Sequence, residues 1–187
     1  MGRDIRIRHI ARGDWPRIAA LEQEAYADST LLEGREALES RGRVSPATCF
    51  VLDLGGRIGG YVLALPYPMF RYPDLALREQ AASAPSAPSG TRNLHLHDIV
   101  VARELRGRGW GGRLLDRLTA QARPAYDRIS LVAVAGMAAF WAARGFRPYE
   151  DVRLPRDYGG DAVYMSRAFK VDRPGRTEEA DRTARAR

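Results

Sequence analysis

Among its 187 residues the chain has one cysteine, Cys49, and one lysine, Lys170. A single thiol cannot form an internal disulfide, so a disulfide-stapled framework is excluded and a reducing compartment is expected. Cys49 sits in an apolar strand pattern and reads as buried filler rather than as a nucleophile. Long apolar runs are also missing: nothing approaches the roughly 18 residues that a spanning helix needs, and no membrane partner is expected. The opening MGRDIRIRHI alternates charge with Ile and lacks a signal-peptide core, which makes a cytoplasmic location the expectation. What the chain lacks in lysine it carries as arginine, at a net charge of +7. These arginines are scattered among acidic residues, with no basic run interleaved with aromatics. That distribution argues against a specific nucleic-acid face and leaves the local excess for an anionic ligand.

At 45% hydrophobic residues the chain suits one domain that buries roughly 70% of its unfolded surface. Ile5 and Ile7 alternate with arginines in a first strand, Asp4 to His9. A helix follows from Trp15 to about Tyr26, with Asp14 as N-cap and Pro16 in its first turn. A second helix is read at about Glu33 to Arg41, ended by Gly42 and Pro46. Thr48–Leu54 and Arg57–Leu65 read as a hairpin turning at Gly55-Gly56. Residues 66–92 break the pattern as a long loop, with a short helix near Leu75–Gln80 and the low-complexity stretch AASAPSAPSG. Arg128–Ala135 is a buried strand, Met137–Arg144 a short helix stopped by Gly145, and Ala162–Arg167 a last strand. The domain is therefore placed at 1–168, and 169–187 is read as a disordered polar tail.

Leu94 to Leu118, LHLHDIVVARELRGRGWGGRLLDRL, organises the rest. A strand ending at Val101 runs into a turn with Arg106, Gly107, Arg108, Gly109, Trp110, Gly111 and Gly112. A helix then carries Trp110, Leu114, Leu115, Leu118 and Ala122 on one face. Glycines at a helix start let unpaired N–H groups approach a phosphate, and the arginines add fork-shaped donors. A P-loop would need Lys and Ser/Thr after its last glycine, where Arg113 and Leu114 stand. Gly107, Gly109 and Gly112 satisfy G-x-G-x-x-G. The acidic residue that a dinucleotide site needs about twenty positions on is missing, because Ile129 to Ala135 is apolar.

The spacing Arg106-x-x-Gly109-x-Gly111 after this strand resembles the acyl-CoA pyrophosphate loop of the GNAT superfamily of N-acyltransferases. Phe140-Trp141-x-x-x-Gly145-Phe146 is similar to that family's aromatic pair and Gly-Phe. The element order βααββ–loop–βαβαββ agrees, over about residues 4–168. The resemblance implies a mixed α/β, mostly antiparallel sheet of six to seven strands with about four helices, splayed between strands four and five. It implies that Ile99, Val100 and Val101 pair with the pantetheine of acetyl-CoA, that Arg106 to Gly112 hold its pyrophosphate, and that Phe140 and Trp141 line its channel. The implied reaction is N-acetyl transfer from acetyl-CoA, the cosubstrate, to an amine of a small molecule or peptide, with no metal. An acyl-CoA-binding sensor without turnover is the alternative.

The family often uses a glutamate base on the fourth strand, which this strand lacks. His95, His97 and Asp98 stand there, with His97 and Asp98 the favoured pair and the N–H near Val100 the oxyanion donor. Alternation places His97 and Asp98 on opposite faces unless a bulge intervenes. The family's usual tyrosine acid is replaced by Trp141, which leaves Tyr149, Tyr164, water or no acid at all. Acceptor recognition is expected from Tyr26–Arg41 and from the 66–92 loop, where Tyr67, Phe70, Arg71, Tyr72 and Asp74 offer a pocket wall but for the most part read better as loop anchors. The assembly state is open, a homodimer included.

Overall fold

Alternation of isoleucine with arginine makes Ile5–His9 the first strand, β1, paired antiparallel with β2, Phe50–Leu54. The computed structural model describes residues 4–27, 29–78 and 92–169. β2 turns through Gly55 and Gly56, at φ of 70° and 93°, a conformation glycine adopts without a Cβ clash. It continues as β3, Ile58–Pro66, which pairs antiparallel with β4, Asn93–Val101. β5, Arg128–Ala133, is parallel to β4, while β6, Arg147–Tyr149, and β7, Val163–Ala168, complete a sheet of order β1-β2-β3-β4-β5-β7-β6. Four helices accompany the seven strands among the described residues: α1, Trp15–Tyr26; α2, Arg35–Val44; α3, Trp110–Ala122; and α4, Ala138–Ala142. This is the mixed, mostly antiparallel architecture expected, in the expected order. The low-complexity stretch and residues 170–187 lie outside the described residues.

Two departures from a regular sheet shape the middle of the molecule. β4 and β5 pair only from Asn93–His95 to Arg128–Ser130, and beyond His95 they splay apart. On its other edge β4 carries a bulge: Leu63 faces Asp98 and Ala64 faces Leu96, so His97 is the extra residue. Side chains of His97 and Asp98, which strict alternation would separate, thus both reach partners at the end of α1 and just beyond it.

Local expectations fail where tertiary contacts override them. Asp14 does not cap α1 with its side chain; it accepts Arg8 Nη1 and Nη2 at 2.7 and 3.0 Å and the Ala11 N–H at 2.7 Å. Gly42 lies inside α2 and does not end it. A Cβ there would sit 2.4 Å from the Trp15 ring, so the glycine makes room for an aromatic of the neighbouring helix. Near Leu75 the chain makes a turn, with the Asp74 carboxylate accepting the Ala76 N–H at 2.9 Å; residues 79 and 80 lie outside the described residues. Phe169, read as the start of the tail, packs on the core and donates its N–H to the Asp127 carbonyl at 2.8 Å. Cys49 is buried among apolar residues, and burial pushes its thiol up to about 12.

Candidate active site

The splay opens a cleft of about 600 Å³ between β4 and β5. At one end lies the glycine-arginine turn. Gly107 and Gly109 have φ of 73° and 79°, and Gly109 is the left-handed residue from which α3 starts. The first α3 ladder bond joins the Arg113 N–H to the Gly109 carbonyl, so the N–H groups of Trp110, Gly111 and Gly112 have no partner within the helix. A Cβ added at Gly107, Gly109 or Gly112 would meet nothing within 4 Å, and at Gly111 only Val101 Cγ2 at 4.0 Å. These backbone amides therefore border open space, as an anion cradle requires. Arg106 lines the cleft and is held by its Nε bond to the Val101 carbonyl at 3.0 Å.

Of the residues expected to meet the cofactor, Ile99, Val101, Arg106, Gly107, Gly109, Trp110, Gly111, Gly112, Phe140 and Trp141 line this cleft. Arg108 and Val100 do not. Arg108 borders a separate hollow with Ile5, Leu54, Arg57, Glu104 and Leu105. Val100 is buried and paired with Tyr61. The Ala102 N–H bonds to Gly59 of β3 and the Val101 carbonyl turns to Arg106, so alternation sends the Val100 backbone toward β3. It leaves the backbone groups of Ile99 and Val101 on the open side. Trp141 is largely buried between Phe140 and Phe146, at centroid distances of 5.1 and 5.3 Å. Sequence reasoning missed Arg144, which also lines the cleft and lies 3.5 Å over the Phe140 ring. Its signal was present, since positions four apart on a helix stack.

The cleft also has a polar stretch, lined by Tyr26, His97 and Asp98. Asp98 accepts the Tyr26 hydroxyl at 2.9 Å and the Tyr61 hydroxyl at a short distance. Burial raises the Asp98 carboxyl, and the Tyr61 hydroxyl, His97 and the Tyr26 hydroxyl partly offset that. Tyr26 is raised first by the Asp98 charge and then by burial, which makes it a hydrogen-bond donor here rather than an acid. His97 Nε2 bonds to Glu33, whose carboxylate also takes Arg41 Nε at 3.0 Å and its Nη2. The Glu22 carboxylate fixes that backbone, accepting the N–H of Glu33 at 2.7 Å and of Gly34 at 3.0 Å. Tyr26, Glu33 and Arg41 lie in the segment expected to serve the acceptor, although Glu33 and Arg41 carried no individual signal.

The two tyrosines considered as acids stand elsewhere. Tyr164 is buried, accepts the Phe70 N–H at 3.0 Å and is pushed up to about 12 by burial. Tyr149 contacts Arg128 Nη2 and Ser166 Oγ, both at 3.2 Å. Neither lines the cleft, and neither do Tyr67, Phe70, Arg71, Tyr72 or Asp74. Tyr72 instead donates to the Arg153 carbonyl at 2.8 Å, a loop anchor. Among the described residues no group of three or more His, Cys, Asp or Glu could hold a metal ion, and no helix is long and apolar enough to cross a membrane.

His95 is fully buried, with Nδ1 3.0 Å from Ser130 Oγ. Burial first, then the His97 and Arg41 charges, hold it well below the ordinary histidine value. An unfolded chain binds a proton below about pH 6.5 that folded His95 refuses. Its contribution is thus intact above pH 6.5 and erodes as pH falls toward the depressed folded value, by at most about 1.4 kcal/mol per pH unit. Urea unfolding between pH 7 and 5 should show His95→Gln with the shallower acid-side slope. Equal slopes would assign the loss to other groups.

The sequence pattern described as the acetyltransferase (GNAT) family matches residues 6–146. No curated protein sequence matches the chain. Among solved structures, the loading GNATL domain of CurA from Lyngbya majuscula is similar at TM-score 0.69 and 18% identity, covering 88% of this chain and 98% of that one. Ard1 from Thermoplasma volcanium gives 0.66 at 15% identity, over 88% and 97%. A GNAT family acetyltransferase from Brucella melitensis in complex with acetyl-CoA gives 0.60 at 20% identity, over 92% of each chain. With the splayed sheet, the glycine-arginine turn at the start of α3 and a family match over most of its length, this chain belongs to the GNAT acetyltransferase family.

Proposed function

We propose that this chain moves an acetyl group from acetyl-CoA to an amine of a small molecule or peptide, by direct attack in a ternary complex. The observation that carries the reading is continuity: one cleft joins the phosphate-type turn to His97 and Asp98. Pyrophosphate oxygens would meet the amides of Trp110 to Gly112 with Arg106, and Arg144 would supply a second cation along the aromatic wall. Open backbone groups of Ile99 and Val101 would pair with the pantetheine amides, as an added strand pairs with an exposed edge. Val100 faces β3, so the oxyanion donor in this reading is the Ile99 N–H.

At neutral pH only about 0.1% of a primary amine with a pKa near 10 is unprotonated. Asp98 would hold the ammonium, which first gives one proton to solvent, and His97 would accept the second proton of the resulting amine as the C–N bond forms. The C–S bond then breaks, and the CoA thiolate leaves. A thiol near pKa 8.5 departs without a phenolic acid, which fits Trp141 at the family's usual tyrosine position.

Acetyl-CoA at about 100 times its dissociation constant should raise the melting temperature by roughly 5–10 °C. Arg106→Ala should weaken that binding tenfold or more, since charge-assisted bonds contribute about 1.5–3 kcal/mol. Arg108→Ala should leave it unchanged. Thiol release with a panel of a polyamine, an aminoglycoside, an amino-acid amide and a short peptide then tests turnover. Binding without thiol release from any of them would favour a sensor that only holds acyl-CoA.

A further inference from the structure

Glu33, Arg41 and His97 form a cluster whose side chains are 3%, 0% and 3% exposed. Burying ionisable groups costs several kcal/mol each unless partners satisfy them, and apolar side chains of similar volume fill a core at least as well. This cluster is satisfied atom by atom. Glu33 Oε1 faces His97 Nε2, and Oε2 takes Arg41. Arg41 Nη2 goes on to the carbonyls of Asp74 at 2.9 Å and Leu77 at 3.3 Å. The Glu33 backbone is itself clamped by Glu22. Burial pushes the Glu33 carboxyl up, but the charges and hydrogen bonds of His97 and Arg41 bring it below its ordinary value. Glu33 is thus a carboxylate and can only accept, so Nε2 of His97 carries hydrogen.

We infer that Glu33, anchored by Arg41, is a positioning residue that holds His97 in the Nε2–H tautomer and leaves Nδ1 to take the proton of an attacking amine. The inference rests on reading His97 as the base. A carboxylate behind an imidazole fixes its tautomer and stabilises the imidazolium formed when the proton arrives. In the step itself a C–N bond forms and a C–S bond breaks. The amine proton goes to Nδ1, and the thiolate leaves with the electron pair. The neighbouring charges are consistent with this arrangement. Arg41 from α2 balances Glu33, Glu22 from α1 is occupied by backbone, and His95 on the same strand is held neutral. Asp98, also on β4, is bridged by the Tyr26 and Tyr61 hydroxyls.

The test uses the full chain labelled with 15N-histidine, whose three imidazoles (His9, His95 and His97) are assigned by single His→Gln variants. His97 should show the Nε2–H tautomer when neutral. In Glu33→Gln the amide oxygen still accepts from Nε2 but the charge is gone, so the His97 proton affinity should fall about tenfold. Glu33→Asp, which keeps the charge, should fall less and guards against a folding defect in the first variant. An Nδ1–H tautomer, or an unmoved His97 titration in a folded Glu33→Gln, overturns the inference. The base reading fails separately, if His97→Gln keeps the parent rate of thiol release. In acyl transfer, Glu33→Gln should lower kcat far more than it changes KM, and should shift the acid limb of the kcat profile downward with the His97 titration.

Discussion

His97→Gln is expected to lower kcat for acyl transfer by about 10²–10⁴-fold while leaving the melting shift given by acetyl-CoA in place. The size follows from the absence of a substitute. Among the residues that line the cleft, only His97, Asp98 and Tyr26 carry titratable groups other than arginine. Asp98 is raised by burial and already accepts two phenols, while Tyr26 is committed to Asp98. His97 is bonded to Glu33 and Arg106 to the Val101 carbonyl, with no hydrogen bond between them, so binding and chemistry should separate. Steady-state thiol release, read beside thermal melting, checks both halves. A variant that keeps at least a tenth of the parent kcat would show that water or bulk base removes the proton.

The central strand, turn and helix were legible because their chemistry is local. Glycines at 107, 109, 111 and 112 can be read for backbone access without knowing the fold. Leu114, Leu118 and Ala122 declare the buried face of α3 by spacing alone, and all three are buried. The aromatic pair Phe140-Trp141 was legible through its resemblance to the family's motif, with Gly145-Phe146 after it. What stayed hidden depends on pairings across the chain. The bulge at His97 is a property of the β3–β4 register, and no feature of Leu96-His97-Asp98 reports it. Arg108 reads as well as Arg106 in sequence, yet a left-handed Gly107 between them turns the two side chains to different hollows. Glu33 and Arg41 are eight residues apart, a spacing that matches neither neighbour rule of a helix, and Glu33 lies before α2 begins. Only packing against β4 and the 67–78 segment brings them together.

The same cluster also predicts a large stability change. Arg41→Met should destabilise the fold by about 3–5 kcal/mol, because removing one member of a buried ion pair leaves Glu33 with His97 but without its permanent cation. The carbonyls of Asp74 and Leu77 lose their donor as well. Arg41→Met combined with Glu33→Gln should recover part of that loss, since no unpaired buried charge remains, and a double-mutant cycle measures the coupling. Acidity separates the two contributions. In the parent, the Glu33 carboxyl sits below its unfolded value near 4.5, so its contribution is present above that pH and is lost as pH falls through the folded value. Without Arg41 the carboxyl keeps His97 but loses its second cationic partner, so its folded value moves up toward the unfolded one. Glu33 therefore contributes less in the variant, and the gap to the parent narrows as pH falls below about 4.5 through the folded Glu33 value. Urea unfolding at pH 7, 4.5 and 3.5 therefore distinguishes the lost charge pair from the lost loop contacts. A gap that stays constant across that range would assign the role of Arg41 to the 67–78 carbonyls alone.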